Sequence, residues 1–93
     1  PIRVWCAGVA TGEEAYTVAM LLQAECDAQG RHPGFKVFAT DVEPECTRQA
    51  ALGHYDPAAL QGLDPAWVER FFLRSGDGRV GVRPELRQRV LFA

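Results

Sequence analysis

Apolar residues first come along this chain as a dense run, then at helical spacing, then as a run again. Ile2, Val4, Trp5, Cys6 and Ala7 make the first run, rich in β-formers and broken by Arg3. Such a run predicts a strand buried on both faces, as in a parallel sheet. From Glu13 the period changes. Ala15, Val18, Ala19, Leu22 and Cys26 fall at i, i+3, i+4, i+7 and i+11, one face of a helix, with Gly30 as its stop. "FKVFAT" (35–40) alternates and predicts a second strand. "EPECTRQAAL" (43–52) predicts a second helix, with Pro44 in its first turn and Gly53 as terminator.

Two Asp-Pro starts follow, at Asp56-Pro57 and Asp64-Pro65, each placing a capping aspartate before a first-turn proline. The second predicts a helix over "PAWVERFFLR", with Trp67, Phe71 and Phe72 facing a core. After the turn cluster "SGDG", "RVGVR" and "RVLFA" predict two strands in a hairpin-like arrangement, separated by "PELRQ". The order strand–helix–strand–helix predicts a right-handed βαβ unit and so an α/β fold. The last part breaks the alternation, as an insertion in the main sheet or an edge to it. Residues 1–73 are expected to form the first half of a larger domain and 74–93 a small β-subdomain. Apolar runs at both ends, "PIRVW" and "VLFA", make the chain read as a segment of a longer protein.

Charge changes the picture only by exclusion. Ten Lys+Arg stand against twelve Asp+Glu in 93 residues, a formal net charge of −2. That balance leaves no footprint for nucleic acid and no polybasic stretch for anionic lipid. Cys6, Cys26 and Cys46 lie twenty residues apart, and His32 and His54 are equally isolated, so no metal-ligand spacing arises. Free thiols and the lack of a signal peptide or membrane-length apolar run lead to the expectation of a cytoplasmic protein without membrane insertion.

Candidate chemistry concentrates in "AGVATGEE" (7–14), between the first strand and its helix. A P-loop needs Gly-Lys-[Ser/Thr] after its spacer, and the dinucleotide fingerprint needs G-x-G-x-x-G. Neither is present, and Glu13 and Glu14 would repel polyphosphate, which disfavours a nucleotide-dependent oxidoreductase. Asp41 stands at the end of the second strand, where open α/β sheets bind ligands, and an aspartate there can accept from ribose hydroxyls. The turn and helix start can take a small anion, while a glutamate faces a cation. S-adenosylmethionine carries ribose, carboxylate, ammonium and sulfonium, and no phosphate. A structural alternative stays open: Thr11-Gly12-Glu13-Glu14 also fits a capping box, Thr11 as cap and Glu14 three positions on.

Taken in order, "RVWCAGVATGEEAYTVAMLL", "KVFATDVEPECTRQAALGHY", "VERFFLR" and "VRPELRQRVLF" resemble the chemotaxis receptor methyltransferases, the CheR family, nearly end to end. The resemblance implies part of a Rossmann-like S-adenosylmethionine-dependent methyltransferase sheet, with a small antiparallel β-subdomain toward its C-terminal end. It implies methylation of glutamate side chains on the cytoplasmic part of chemoreceptors, yielding S-adenosylhomocysteine. It places the cofactor on Ala7, Gly8, Thr11, Gly12, Glu14 and Asp41, with Glu14 at the ammonium end and Asp41 at the ribose. No catalytic acid, base or metal ligand is assigned, and Tyr16 is a weaker candidate for shaping the pocket, with packing in the core an equal alternative. Val9, Ala10 and Ala15 depart from the family's usual turn without removing a charge. Some members dock a receptor's C-terminal tail through an Arg-Gly pair and a strand arginine. Here those positions are Arg74-Ser75 and Gly81, so the chain is expected to act without tail docking. Further cofactor contacts of the family lie outside residues 1–93, so the segment alone is expected to be inactive. The competing expectation is a CheR-like module that binds the cofactor or its product within a multidomain regulator.

Overall fold

In a computed structural model that describes residues 2–8, 10–31 and 34–93, a three-stranded parallel sheet carries a separate three-stranded antiparallel sheet. The parallel sheet has the order β1-β2-β6, from strands Ile2–Ala7, Phe35–Thr40 and Val90–Phe92. Strand β2 sits in the middle. Its alternation puts Phe35, Val37 and Ala39 into the core, and Lys36, Phe38 and Thr40 on the other face.

Helix α1 (Glu13–Ala28) covers the core face as the crossover from β1 to β2. Its buried stripe is Ala15, Tyr16, Ala19 and Met20, with Val18, Leu22 and Cys26 half-buried beside it. The stripe is therefore wider than the sequence period indicates, and Tyr16 reaches both sheets, with its ring against Phe92 of β6 and Tyr55 of the second sheet. Tyr16, expected as a possible pocket residue, is core: it is buried, and its hydroxyl donates to the Ala50 carbonyl at 2.7 Å. Burial pushes its pKa well above the usual tyrosine range.

Helix α2 (Pro44–Leu52) ends at Gly53 in the left-handed conformation, as its sequence predicts. Of the two Asp-Pro starts, only the second caps through its side chain: Asp64 accepts from the Ala66 amide at 2.9 Å and opens α3 (Pro65–Phe71). Asp56 precedes a single 3-10 turn, Pro57–Leu60, without a side-chain cap bond. Helix α3 stops three residues earlier than its apolar pattern suggests, because Phe72–Arg74 continues as strand β4.

The antiparallel sheet has the order β3-β5-β4, from His54–Tyr55, Val80–Val82 and Phe72–Arg74. The hairpin-like pairing expected of the last two strands does not form. Strand β5 pairs with β3 and β4, the one-turn helix α4 (Pro84–Arg87) reverses the chain, and β6 returns to lie parallel to β2. A four-residue helix between two strands moves the second one away from the first, so the connection acts as a crossover.

Strand β1 also departs from expectation. Among the described residues it pairs with β2 alone and is covered on one face, so Trp5 is 72% exposed. The dense apolar run is real, but in this chain only one of its faces meets a helix. Among the described residues no helix is long and apolar enough to cross a membrane.

Candidate functional site

Strands β1 and β2 are parallel and in register to their last residues, Ala7 opposite Thr40. The turn at 8–12 and Asp41 therefore leave the sheet side by side at its C-terminal end. Two bonds tie the strand ends together there. The Gly8 amide donates to the Thr40 carbonyl at 2.8 Å, and the Trp5 indole Nε1 donates to Thr40 Oγ1 at 2.9 Å.

Among its described residues the turn has three of positive φ: Gly8 at 69°, Ala10 at 50° and Gly12 at 96°. Glycine takes such angles freely, whereas Ala10 needs a compensating contact. Asp41 supplies it. Its Oδ2 accepts from the Ala10 amide at 2.9 Å, while Oδ1 accepts from the Glu43 amide at 3.0 Å. These backbone donors, Glu43 first and Ala10 second, hold the carboxyl below its ordinary pKa. Each oxygen keeps a further lone pair, so the group can still accept from hydroxyls of a bound molecule.

The capping alternative for Glu14 is overturned. The N-cap of α1 is Gly12, in the left-handed conformation and with no side-chain cap bond; the Thr11 hydroxyl instead donates to Glu13. Thr11 cannot cap because Gly12 intervenes and sets the entry angle of the helix. Glu14 is exposed and makes no hydrogen bond or ion pair among the described residues. It stands toward β1, where, after burial, its charge is the second cause of a raised pKa at the Cys6 thiol. Glu13 turns the other way, into a small cleft with Tyr16, Tyr55 and Phe72. The paired glutamates thus serve different sides of the helix start.

Space at the turn is uneven. A Cβ added at Gly8 would meet nothing within 4 Å, so this backbone faces open room. A Cβ at Gly12 would lie 2.7 Å from Ala50 Cβ, 3.1 Å from the Tyr55 hydroxyl and 3.2 Å from Phe92. Gly8 leaves room beside its backbone, whereas Gly12 is where α1 presses on its neighbours. Val9, also singled out in the sequence, lies outside the described residues, as does His32.

Of the sequence candidates, then, Ala7 ends β1, Gly8, Thr11 and Gly12 belong to the turn that follows, Asp41 is bonded to that turn through Ala10, and Glu14 stands free among the described residues at the helix start. Sequence reasoning missed Tyr55. Its hydroxyl donates to the Thr11 carbonyl at 2.7 Å from strand β3, 44 residues further along the chain. No local motif announces such a contact. Cys6, Cys26 and Cys46 are free and half-buried, and the described residues hold no His/Cys/Asp/Glu cluster suited to a metal.

The arrangement offers an open backbone bend, one ionised carboxylate with spare acceptors and one exposed glutamate, all at the carboxyl end of a parallel sheet. It suits a ligand with hydroxyls and positive charge. Comparison with known proteins agrees with that chemistry. The profile of the CheR methyltransferase, SAM binding domain, matches residues 1–93. A chemotaxis protein methyltransferase of Escherichia coli is 42% identical over 98% of this chain, and chemotaxis protein methyltransferase 1 of Pseudomonas aeruginosa is 34% identical over 98%. An uncharacterized 104.1 kDa protein of Rhodobacter capsulatus is 48% identical over 99%. The chain spans 32% and 34% of the two chemotaxis proteins' lengths and 10% of the Rhodobacter protein. The chain belongs to the CheR methyltransferase family, within its SAM-binding domain.

Proposed function

We propose that this chain forms the cofactor-binding part of an enzyme that methylates glutamate side chains on the cytoplasmic domains of chemoreceptors. The observation that carries the reading is the bend at 8–12, bonded to Asp41 and flanked by the free Glu14, in a chain whose whole length matches the family. Asp41 would accept from the ribose hydroxyls of S-adenosylmethionine. Glu14 would face its ammonium group, and Ala7, Gly8, Thr11 and Gly12 would present backbone to it.

When bound, the cofactor supplies a methyl group on a positively charged sulfur. A substrate glutamate is already ionised at neutral pH, so the chain needs to provide no base. Its part is alignment and exclusion of water: fixing the nucleoside through Asp41, the amino-acid end through Glu14, and leaving one face open to the carboxylate. Tail docking through the antiparallel sheet is not part of the reading, since Gly81 fills the middle of β5 where family members that dock a tail carry an arginine.

Transfer of tritiated methyl from S-adenosylmethionine to a chemoreceptor fragment by the intact protein tests the proposal. Replacing Asp41 by Ala removes the Ala10 bond and the ribose acceptor together. Two bonds to a charged group are worth about a hundredfold in transfer rate at subsaturating cofactor. Transfer unchanged in Asp41→Ala would sink it.

The Rhodobacter relative favours a second reading, because a segment 48% identical occupies only 10% of a 104.1 kDa protein. In such a setting the domain is a module that binds the cofactor or S-adenosylhomocysteine within a larger regulator, without methylating receptors. Tight S-adenosylhomocysteine binding with no methyl transfer would favour it.

A further inference from the structure

The bend at 8–12 is held on two sides by residues far from it in sequence. On the sheet side, Asp41 takes the Ala10 amide. On the other side, the Tyr55 hydroxyl takes the next residue's carbonyl, at Thr11. Tyr55 belongs to β3, at the edge of the antiparallel sheet, where it pairs with Val80. Its ring is itself fixed: it stands edge-on to Tyr16, with centroids 6.3 Å apart and planes at 81°, and it is almost fully buried.

Burial, with the neighbouring Tyr16 and Glu13, pushes the Tyr55 phenol well above its ordinary pKa, so it stays protonated and donates. The same hydroxyl lies 3.1 Å from where a Gly12 Cβ would be, so it also fills the space beside the helix cap. One phenol thus supports the two residues that lead into α1, and it is the described hydrogen bond from the second sheet to the bend.

We infer that Tyr55 is a positioning residue for cofactor binding: it transmits the placement of the antiparallel sheet to the bend by fixing the backbone at Thr11–Gly12. The inference rests on the proposed cofactor reading of the bend. Tyr55 touches Thr11 from behind and acts on the ligand through the turn, so its loss weakens binding and leaves the methyl-transfer step as it was.

The test uses the intact protein. In Tyr55→Phe, the Kd for S-adenosylhomocysteine and the KM for S-adenosylmethionine rise about three- to tenfold, the value of one net hydrogen bond, while kcat stays within about twofold. Hydrogen exchange at the Ala10–Gly12 amides quickens by a similar factor without cofactor present. 4-Aminophenylalanine at position 55 keeps a donor and restores both readings. 4-Methylphenylalanine fills the hydroxyl's volume without donating and does not restore them, which separates the hydrogen bond from simple packing. Unchanged affinity and exchange in Tyr55→Phe, or equal rescue by both analogues, would overturn the inference. Wild-type protein that fails to bind S-adenosylhomocysteine, with the exchange difference intact, would instead remove the cofactor reading and leave Tyr55 as a support of the bend.

Discussion

Asp41 holds the positive-φ Ala10 through its amide and tethers its own loop through the Glu43 amide, and both bonds require the carboxylate rather than the acid. The bonds lower its folded-state pKa below the ordinary 3.8. A depressed acid contributes stability that is fully present above the unfolded value and is lost as pH falls through the folded value. The difference in urea stability between wild type and Asp41→Asn is therefore expected to be constant above about pH 5, and to shrink as pH drops below the ordinary aspartate value. A gap that grows on acidification would contradict the two amide bonds. Glu14 contrasts with Asp41 at the same scale: it is bonded to nothing among the described residues and is free to meet a ligand.

Four elements meet closely where α1 begins. Gly12 caps that helix at φ 96° and faces Ala50 of α2, Tyr55 of β3 and Phe92 of β6 at once. Adding one methyl there forces a left-handed alanine, at about 1–2 kcal/mol, and overpacks three neighbours, at about 1–3 kcal/mol more. Gly12→Ala is expected to lose roughly 2–5 kcal/mol by denaturant titration, whereas a loss below about 1 kcal/mol would show that the elements separate easily. The glycine itself was legible in the sequence, as were β1, α1, β2 and α2, because each carries its own period or its own terminator. Pairing was not. "RVGVR" and "RVLFA" look like hairpin partners, yet Val80–Val82 and Val90–Phe92 join different sheets. Local pattern specifies that a segment is a strand, while the partner is chosen by α4 and by the room beside β2. The same limit hid Tyr55: the chain order of Thr11 and Tyr55 carries no trace of a contact made only once both sheets exist.

At the scale of the whole chain, one face of the parallel sheet packs on α1 and the other does not. Trp5, Phe38 and Leu91 stand in one row across β1, β2 and β6 on that second face, with Trp5 72% and Leu91 52% exposed. Parallel sheets are ordinarily covered on both faces, and among the described residues no helix lies over this apolar row. The bend, Glu14 and Asp41 occupy one end of the same sheet, and a nucleoside resting there would have protein on one side alone. Binding sites for molecules of this size ordinarily bury most of the ligand. Residues 1–93 by themselves are accordingly expected to give no measurable methyl transfer and to bind S-adenosylhomocysteine at least about a hundredfold more weakly than the intact protein. Side-by-side calorimetry and tritiated-methyl transfer on the two proteins decide the matter. Robust turnover by residues 1–93 would mean that the bend, Glu14 and Asp41 suffice for the cofactor, and that the exposed row has nothing to do with enclosing it.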